Sequence, residues 1–509
     1  MNDMTDFLFQ RYQDVADREF DFVVIGAGAT GAALTREIAS RAPSARILVL
    51  DQGSFLLPGH VQNHGSAYQP LMDTAVAAPW RTEGDLELVG QVPYLGGRTL
   101  FWSGAAPTPD LDRFVHWPAD VVDDLRTDLR AARDLVGARR ASEVAEEFGA
   151  LNEQLRDRIL GNADDVPGMV VPPNGEDLDA PLGMPLTGRG RIPVKYSAVP
   201  VLLEASRAHP TTIAVVPGCP VHRLEHRRGA VTALETGAGR LRVGGAEVVL
   251  AMGATENTRL VLASFPREQV PLAGGNLTAN SAMFYMCRMP RRRFADLRAE
   301  RPELAALYVE GRTDDREFVL HLSASATTDP SRDREDIYRL LPDVFGDGVV
   351  DRLADEDHVV FLVNGVAEIG GQRSAHSPSR TRLDGNGATV VDFRLDKSDH
   401  GALEALDRMT REVISVVADG ERVEYWSPGN GRWVGSPPDD PRMPFALSEG
   451  GTLWMGRSAE DSVTDVDCRL HHVDNVHVAG GAVFPTHGAW NPLLTMTALA
   501  MRLGRHLTS

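Results

Sequence analysis

Residues 20–51 read FDFVVIGAGATGAALTREIASRAPSARILVLD, and this stretch decides the fold of the N-terminal part of the chain. The apolar run 20–25 is typical of a buried parallel strand, and residues 45–50 form a second such run. Between them, residues 32–41 have the pattern of a helix. Strand, glycine-rich turn, helix, strand and acid within about thirty residues make a complete βαβ unit. The stretch therefore predicts an α/β domain.

The turn of this unit is a loop with glycine at three positions, Gly26, Gly28 and Gly31, and with Thr30 among them. Phosphate-binding turns need such glycines because the backbone must turn tightly, approach a pyrophosphate closely and pack the helix on the strand. Asp51 follows about twenty residues later and would accept hydrogen bonds from ribose hydroxyls, which favours FAD or NAD over NADP. We predict a Rossmann-like dinucleotide-binding domain, with an ordinary glycine turn as the structural alternative.

The composition fits a folded protein with a substantial core. Of 509 residues, 43% are hydrophobic and 24% charged, and the net charge of −19 argues against nucleic acid as a partner. The three cysteines have no CxxC spacing, so neither a disulfide scaffold nor a metal site is expected. Residues 1–20 lack the apolar core of a signal peptide and any membrane-length run. We expect a cytoplasmic protein without a membrane partner.

Two later stretches have the same order of strand, glycine and helix as the first. Residues 221–251 alternate apolar and polar positions around a turn and end in an apolar strand, after which Gly253 opens a helical segment. Residues 476–481 read as a strand followed by glycines, and residues 492–507 have helical apolar spacing. The three separated pieces are predicted to form one sheet domain.

The remaining chain contains a charged helical region, a Pro/Gly-rich span and a strand-rich region, which predict a second domain of the α+β type with its own sheet. The predicted nucleotide-binding domain is discontinuous and comprises residues 1–118, 193–279 and 446–509. The predicted substrate-binding domain and connecting segments comprise residues 119–192 and 280–445.

Four further segments resemble the glucose-methanol-choline (GMC) oxidoreductase family, whose members bind FAD. They are residues 96–104 (GGRTLFWSG), 250–259 (LAMGATENTR), 451–456 (GTLWMG) and 475–492, and with the first loop they follow the order of the family. The resemblance is closest to the sugar-oxidising branch that includes pyranose oxidase. It implies an FAD-binding Rossmann-like domain joined to a substrate-binding domain.

The resemblance also implies which residues line the cofactor. Some members attach FAD covalently through a histidine in the first segment, and Phe101 stands at that position, so non-covalent FAD is expected. Asn491-Pro492 would begin a helix whose free N–H groups stabilise negative charge on the flavin. Beyond the first loop and Asp51, the implied cofactor residues are Gly97, Thr99, Phe101, Trp102, Ser103, Val221, Gly253, Gly480, Gly481, Asn491, Pro492 and Leu493.

The catalytic pair of the family is a histidine in an H-x-x-G-T pattern and a histidine or asparagine about forty residues later. Asn491 matches the second position, but Ser448 occupies the first. A serine hydroxyl hydrogen-bonds a substrate oxygen but does not act alone as a base near neutral pH. His487, four residues before Asn491, is therefore the first candidate for the base, and His321 on the apparent strand 318–324 is the second. For each, a purely structural histidine is the alternative.

These residues predict an FAD-dependent GMC-type oxidoreductase that oxidises an alcohol, such as a sugar, glycoside or polyol hydroxyl, to a carbonyl. Oxygen or another acceptor would reoxidise the flavin. Because Ser448 replaces the usual histidine, non-oxidative or altered chemistry on the same fold is the alternative. A flavin-binding protein without catalysis is the third hypothesis. The oligomeric state is left open.

Overall fold

The computed structural model describes residues 8–172, 178–188, 191–346 and 348–509. The helices of these residues are α1 (Tyr12–Val15), α2 (Ala29–Arg41), α3 (Leu71–Ala75), α4 (Ala119–Val136), α5 (Ala141–Val144), α6 (Ala150–Gly161), α7 (Ala198–Ala208), α8 (Ala254–Ser264), α9 (Pro330–Leu340), α10 (Val349–Leu353), α11 (Lys397–Ala418) and α12 (Leu493–Leu507).

The strands of the described residues form two large sheets and several small ones. In chain order they are β1 (Phe22–Ile25), β2 (Ile47–Leu50), β3 (Arg81–Gly84), β4 (Glu87–Leu88), β5 (Ala138–Arg140), β6 (Pro181–Gly183), β7 (Leu186–Thr187), β8 (Ile192–Pro193), β9 (Ile213–Val216), β10 (Val221–Arg227), β11 (Ala230–Thr236), β12 (Gly239–Arg242), β13 (Glu247–Leu250), β14 (Thr278–Pro290), β15 (Glu303–Arg312), β16 (Glu317–Ala326), β17 (His358–Gly370), β18 (Arg380–Leu383), β19 (Thr389–Phe393), β20 (Glu424–Ser427), β21 (Arg432–Val434), β22 (Arg442–Gly450) and β23 (Val476–Val478).

The first large sheet is parallel and has the strand order β23-β13-β1-β2-β9. Its strands are short and apolar because both faces are covered, with helices α2 and α12 packed against each other beside it. This sheet confirms the predicted α/β fold. Helix α2 begins at Ala29, three residues before the predicted start, because Gly28 is its N-cap and the second half of the glycine loop is already helical.

The second large sheet has eight strands, of which β15, β16, β17 and β14 form an antiparallel series. The long helix α11 packs on this sheet, which confirms the predicted second domain of α+β type. The strand-rich region also contains helices α9 and α10, which the sequence analysis did not identify. Asp329 caps α9 by accepting from Arg332 N, with Pro330 in its first turn.

The strands of the parallel sheet all lie within the three segments expected to form the nucleotide-binding domain. The expected boundary at residue 446, however, falls inside β22, which pairs with β14 of the large sheet. Strand β3 likewise pairs with β19, and β4 with β22. The two sheets are therefore joined by shared strands.

Within the described residues, no helix is both long and apolar enough to cross a bilayer. The three cysteines are buried and unbridged.

Candidate functional site

Four chain segments meet at the carboxyl edge of the parallel sheet. The glycine loop follows β1, Asp51 follows β2, the turn before Gly253 follows β13, and Gly480 follows β23. In open α/β sheets, ligands bind outside the carboxyl ends of the strands. A cavity of about 1010 Å³ lies there and extends to the large sheet.

The three glycines of the first loop have different surroundings. Gly26 has a φ of 109°, and a Cβ there would lie 2.4 Å from the carbonyl oxygen of Ala251. A Cβ on Gly31 would lie 1.9 Å from the carbonyl oxygen of Gly26, so this glycine is needed for packing of helix on strand. A Cβ on Gly28 would meet no protein atom within 4 Å, and Gly28 lines the cavity. This geometry fits a pyrophosphate at the start of α2.

Two backbone N–H groups hold the carboxylate of Asp51. Its Oδ2 accepts from Ala27 N at 2.8 Å and its Oδ1 accepts from Gly53 N at 2.8 Å. Burial raises the pKa of this carboxyl, and the two hydrogen bonds oppose that rise. Each oxygen has a second lone pair, and Asp51 lines the cavity, so it can still accept from a ribose hydroxyl.

Segment 96–104 covers the glycine loop from the other side. Gly96 and Gly97 have φ values of 95° and 55°, and a Cβ on Gly97 would lie 3.4 Å from Gly28 Cα. Thr99 Oγ1 donates to Gly96 O at 2.6 Å and accepts from Ala198 N at 2.9 Å. Trp102 Nε1 donates to the carbonyl oxygen of Tyr196 at 2.8 Å. These contacts fix the segment against the cavity.

The residues expected to bind FAD gather around this one cavity, apart from Gly31, which packs beneath the loop. The expected FAD residues that line the cavity are Gly26, Gly28, Thr30, Asp51, Gly97, Thr99, Phe101, Trp102, Ser103, Val221, Gly253, Gly480, Gly481, Asn491, Pro492 and Leu493.

Asn491 lies at the start of helix α12, in the cavity lining. Its Oδ1 accepts from Leu493 N at 3.0 Å, and Pro492 has no N–H group to satisfy. The first turn of α12 therefore presents free N–H groups and the positive end of the helix dipole beside the cavity. Anionic charge on a bound flavin would be stabilised there, so the residues present fit this cofactor.

Ser448 also lines the cavity, from strand β22. Its φ is 58°, in the left-handed region that few non-glycine residues adopt. The pairing of β14 with β22 shifts at this place, since Thr278 pairs with Gly450 and Asn280 with Leu447. Ser448 and Glu449 thus lie in a β-bulge, a device that redirects side chains at sites. Ser448 stands at the position where the resemblance to the GMC family implies a histidine.

His487 does not line the cavity. The residue is 1% exposed, and its ring packs near Phe484. Its Nδ1 lies 2.8 Å from the carbonyl oxygen of Gly488. The loop around it is held by Glu368, whose Oε1 accepts from His487 N at 3.2 Å and from Gly488 N at 2.9 Å. The structure therefore places His487 outside the cavity lining to which Asn491 and Ser448 belong.

His321, the second candidate, lines the cavity from strand β16. Its Nδ1 lies 3.0 Å from Asp343 Oδ2, and both side chains are buried. Its Nε2 has no hydrogen-bond partner among the described residues. Asp343, which the sequence analysis missed, gave no local signal because it lies 22 residues away in a loop after α9.

The large sheet contributes a partly polar face to the same cavity. In register, His321 pairs with Asn364, and Asn364 pairs with Phe284 on β14. Asn280 lies on the same cavity, and its Oδ1 is buried without a partner in the described part of the chain. Amide and imidazole groups are thus available for a ligand with several hydroxyls.

Residues 375–500 match the family model described as GMC oxidoreductase. Among curated proteins, a C-glycoside 3-oxidase of Arthrobacter globiformis is 34% identical over 127 residues, which is 24% of this chain and 21% of that protein. The C-glycoside 3-oxidase of Microbacterium trichothecenolyticum is 31% identical over 138 residues, 25% of this chain and 23% of that protein. The chain therefore matches about a fifth of the length of these relatives.

Solved structures extend the likeness in fold to nearly the whole chain. The pyridoxine 4-oxidase from Mesorbium loti superposes with a TM-score of 0.58 at 16% identity and covers 96% of this chain and 99% of its own. The formate oxidase of Aspergillus oryzae RIB40, studied for its FAD modification, has a TM-score of 0.61 at 13% identity, with 96% and 98% covered. Residues 375–500 are thus similar to the GMC oxidoreductase family model, and the fold of 96% of the chain is similar to that of these two oxidases.

Proposed function

We propose that this protein is an FAD-dependent oxidoreductase that oxidises an alcohol to a carbonyl compound. The observation that supports this most directly is the single cavity of about 1010 Å³, which joins the glycine loop to the polar face of the large sheet. It lies at the upper end of the roughly 300–1,000 Å³ typical of ligand pockets. A cofactor at the parallel sheet would thereby face a substrate at the large sheet.

The proposed FAD contacts use the ends of strands β1 and β2 and the start of α12. The open space beside Gly28 would take the pyrophosphate, Asp51 would accept from the ribose, and the first turn of α12 would face the flavin pyrimidine. Phe101 lies in the lining and has no atom that forms a bond to flavin. Acid precipitation should therefore release the flavin into the supernatant, and flavin retained in the pellet would contradict non-covalent binding.

Oxidised flavin, when bound, accepts a hydride from the carbinol carbon of the substrate. The tasks of this chain are to orient the hydroxyl and to take its proton. Ser448 and Asn491 line the cavity and supply polar atoms that can hold the substrate oxygen. The apolar residues around them, such as half-buried Phe284 and buried Leu493, limit access of water.

The substrate class that we propose is a sugar, glycoside or polyol. Asn280, Asn364 and His321 offer donors and acceptors from three neighbouring strands, as a polyhydroxylated ligand requires. The names of the matched relatives, two C-glycoside 3-oxidases, favour the same class. They also favour placement in the sugar-oxidising branch and oxygen as acceptor. The expected cytoplasmic location stays a prediction that cell fractionation tests.

The experiment is incubation of the purified protein under air with D-glucose, phenyl β-D-glucoside, sorbitol and pyridoxine, followed by mass spectrometry. We expect a product two mass units lighter than one of these alcohols, together with hydrogen peroxide if oxygen is the acceptor. A substrate cleaved or rearranged without a change in oxidation state would instead establish the non-oxidative chemistry that Ser448 raises as an alternative.

A further inference from the structure

We propose that His321, oriented by Asp343, is the general base that removes the hydroxyl proton of the substrate. The inference rests on the proposed alcohol oxidation and assigns the step for which the chain has serine in place of the histidine of its family. The base would thus lie on strand β16 of the large sheet rather than on strand β22, which carries Ser448.

The geometry of the pair defines the tautomer. The carboxylate of Asp343 is an acceptor, so the nitrogen 3.0 Å from it, His321 Nδ1, carries the proton. Nε2 then has a free lone pair, and this atom is buried without a partner in the described residues. His321 is 7% exposed and Asp343 3% exposed. A buried lone pair in a cavity lining is an acceptor that a substrate hydroxyl would satisfy.

The loop that carries Asp343 is held in place from two directions. Asp343 N donates to Ser103 O at 3.3 Å, and Lys195 Nζ donates to Leu341 O at 2.6 Å. Asp343 has a φ of 58°, a left-handed conformation that asparagine and aspartate adopt more readily than most residues and that persists where its surroundings hold it. The carboxylate is therefore fixed, and through it the ring of His321.

The same contacts place the pair beside the expected flavin residues. Ser103, which is bonded to Asp343 N, lies in the segment 96–104 that faces the glycine loop. Ala489, two residues before Asn491, belongs to the same hydrophobic cluster as Val319, two residues before His321 on β16. His321 and Asn491 thus line one cavity from opposite domains.

The other candidates are weaker on chemical or structural grounds. Ser448 has a hydroxyl that stays protonated near neutral pH. His487 is buried outside the cavity lining, and its Nδ1 lies against the carbonyl oxygen of Gly488. Among the candidates, His321 alone combines a free imidazole nitrogen with a place in the lining.

Oxidation of the alcohol consists of a proton transfer to His321 and the loss of a hydride from the carbinol carbon. The O–H bond of the substrate breaks and its proton moves to His321 Nε2, which gives an imidazolium paired with Asp343. As the C=O bond forms, the carbinol C–H bond breaks, and bound FAD would supply the acceptor for the hydride that leaves. The imidazolium then returns its proton to solvent.

Single-turnover flavin reduction under anaerobic conditions tests the proposal, with the fastest-reducing alcohol of the four named above. We expect His321→Gln to slow reduction about a hundredfold or more, as loss of a general base does. Asp343→Asn should slow it at least about tenfold, because the amide can donate to Nδ1 and shift the proton to Nε2. FAD should stay bound and remain reducible by dithionite in both variants.

His358→Gln is the matched control. His358 Nδ1 lies 3.0 Å from Asp355 Oδ1, the same separation as in the proposed pair, but neither residue lines the cavity. Its reduction rate should stay within about threefold of wild type. An equally fast His321→Gln variant would overturn the assignment of the base alone. Failure of all four alcohols to reduce wild-type flavin would overturn the proposed function and the base with it.

A readout independent of turnover is the ¹⁵N spectrum of the histidine side chains in the purified protein, with His321 assigned by its absence in His321→Gln. We expect protonated Nδ1 and bare Nε2 in wild type and the reverse in Asp343→Asn. A His321 spectrum with protonated Nε2, or one unaffected by Asp343→Asn, would overturn the orienting role of Asp343.

Discussion

The amide of Asp343 donates a hydrogen bond to the carbonyl oxygen of Ser103 at 3.3 Å. This bond joins a loop of the large sheet to the segment that faces the glycine loop, so the two halves of the cavity are fixed relative to each other. Domains that bind a cofactor and a substrate separately must hold both within reach for reaction.

Gly28→Val should abolish FAD binding with little direct clash in the protein itself. The φ of Gly28 is −77°, and its Cβ position is open, so the new side chain enters only the space proposed for pyrophosphate. The FAD content of purified protein, measured from its absorbance, checks this. Gly161→Val is the control, since its Cβ position is equally open and lies outside the cavity lining. Full FAD content in Gly28→Val would show that the loop is only structural.

Glu368→Ala should slow flavin reduction, because Glu368 Oε1 accepts from His487 N and Gly488 N and so holds the loop that leads to Asn491. Displacement of a reacting group by about 1 Å can cost on the order of a hundredfold in rate. Glu368→Gln keeps an oxygen acceptor at the same place and should retain most of the rate. Equal rates in the alanine and glutamine variants would exclude a positioning role.

Ser448→His should restore part of the rate that His321→Gln loses. Position 448 is the place of the histidine in the family pattern and lies in the cavity lining. Histidine is also among the residues that tolerate the left-handed φ of 58° found there. In the double variant we expect reduction at least about tenfold faster than in His321→Gln. No gain, with FAD bound, would indicate that the substrate oxygen does not reach position 448.

The stability of the protein should fall as pH rises toward neutrality because of Glu317. Burial raises the pKa of this carboxyl from 4.5 to about 7, although Arg113 opposes the rise. The folded state therefore holds the proton longer than the unfolded state does. The resulting stabilisation is complete below about pH 4.5 and is lost as pH rises through about 7, by at most roughly 3 kcal/mol.

Urea unfolding of Glu317→Gln at several pH values measures this contribution. We expect a smaller decline in the free energy of unfolding between about pH 5 and 8 than in wild type. Glu225→Gln is the control, because Glu225 is only half-buried and a hydrogen bond from Arg240 lowers its pKa. Parallel curves for wild type and Glu317→Gln would contradict the raised pKa.

The sequence predicts the parallel-sheet half of the fold well because its signals are local. The glycine loop lies within a few residues of β1 and α2, and the packing role of Gly31 follows from its spacing alone. Short, continuous motifs indicate Asn491 and Ser448 as candidate site residues. Both residues line the cavity.

Proximity along the chain and proximity in space rank the two histidine candidates differently. His487 lies four residues before Asn491, but the turn at Gly488 directs it into the core. His321 lies on a strand buried on both faces, so apolar alternation does not show which side chains face the cavity. Its partner Asp343 is brought to it only by the loop after α9.

Anaerobic mixing of the purified protein with D-glucose, phenyl β-D-glucoside, sorbitol or pyridoxine tests the central claim most directly. The account predicts that the absorbance of oxidised flavin is lost with at least one of these alcohols and that one carbonyl product forms per flavin. A spectrum that all four leave unchanged, while dithionite bleaches it, would contradict FAD-dependent alcohol oxidation by this protein.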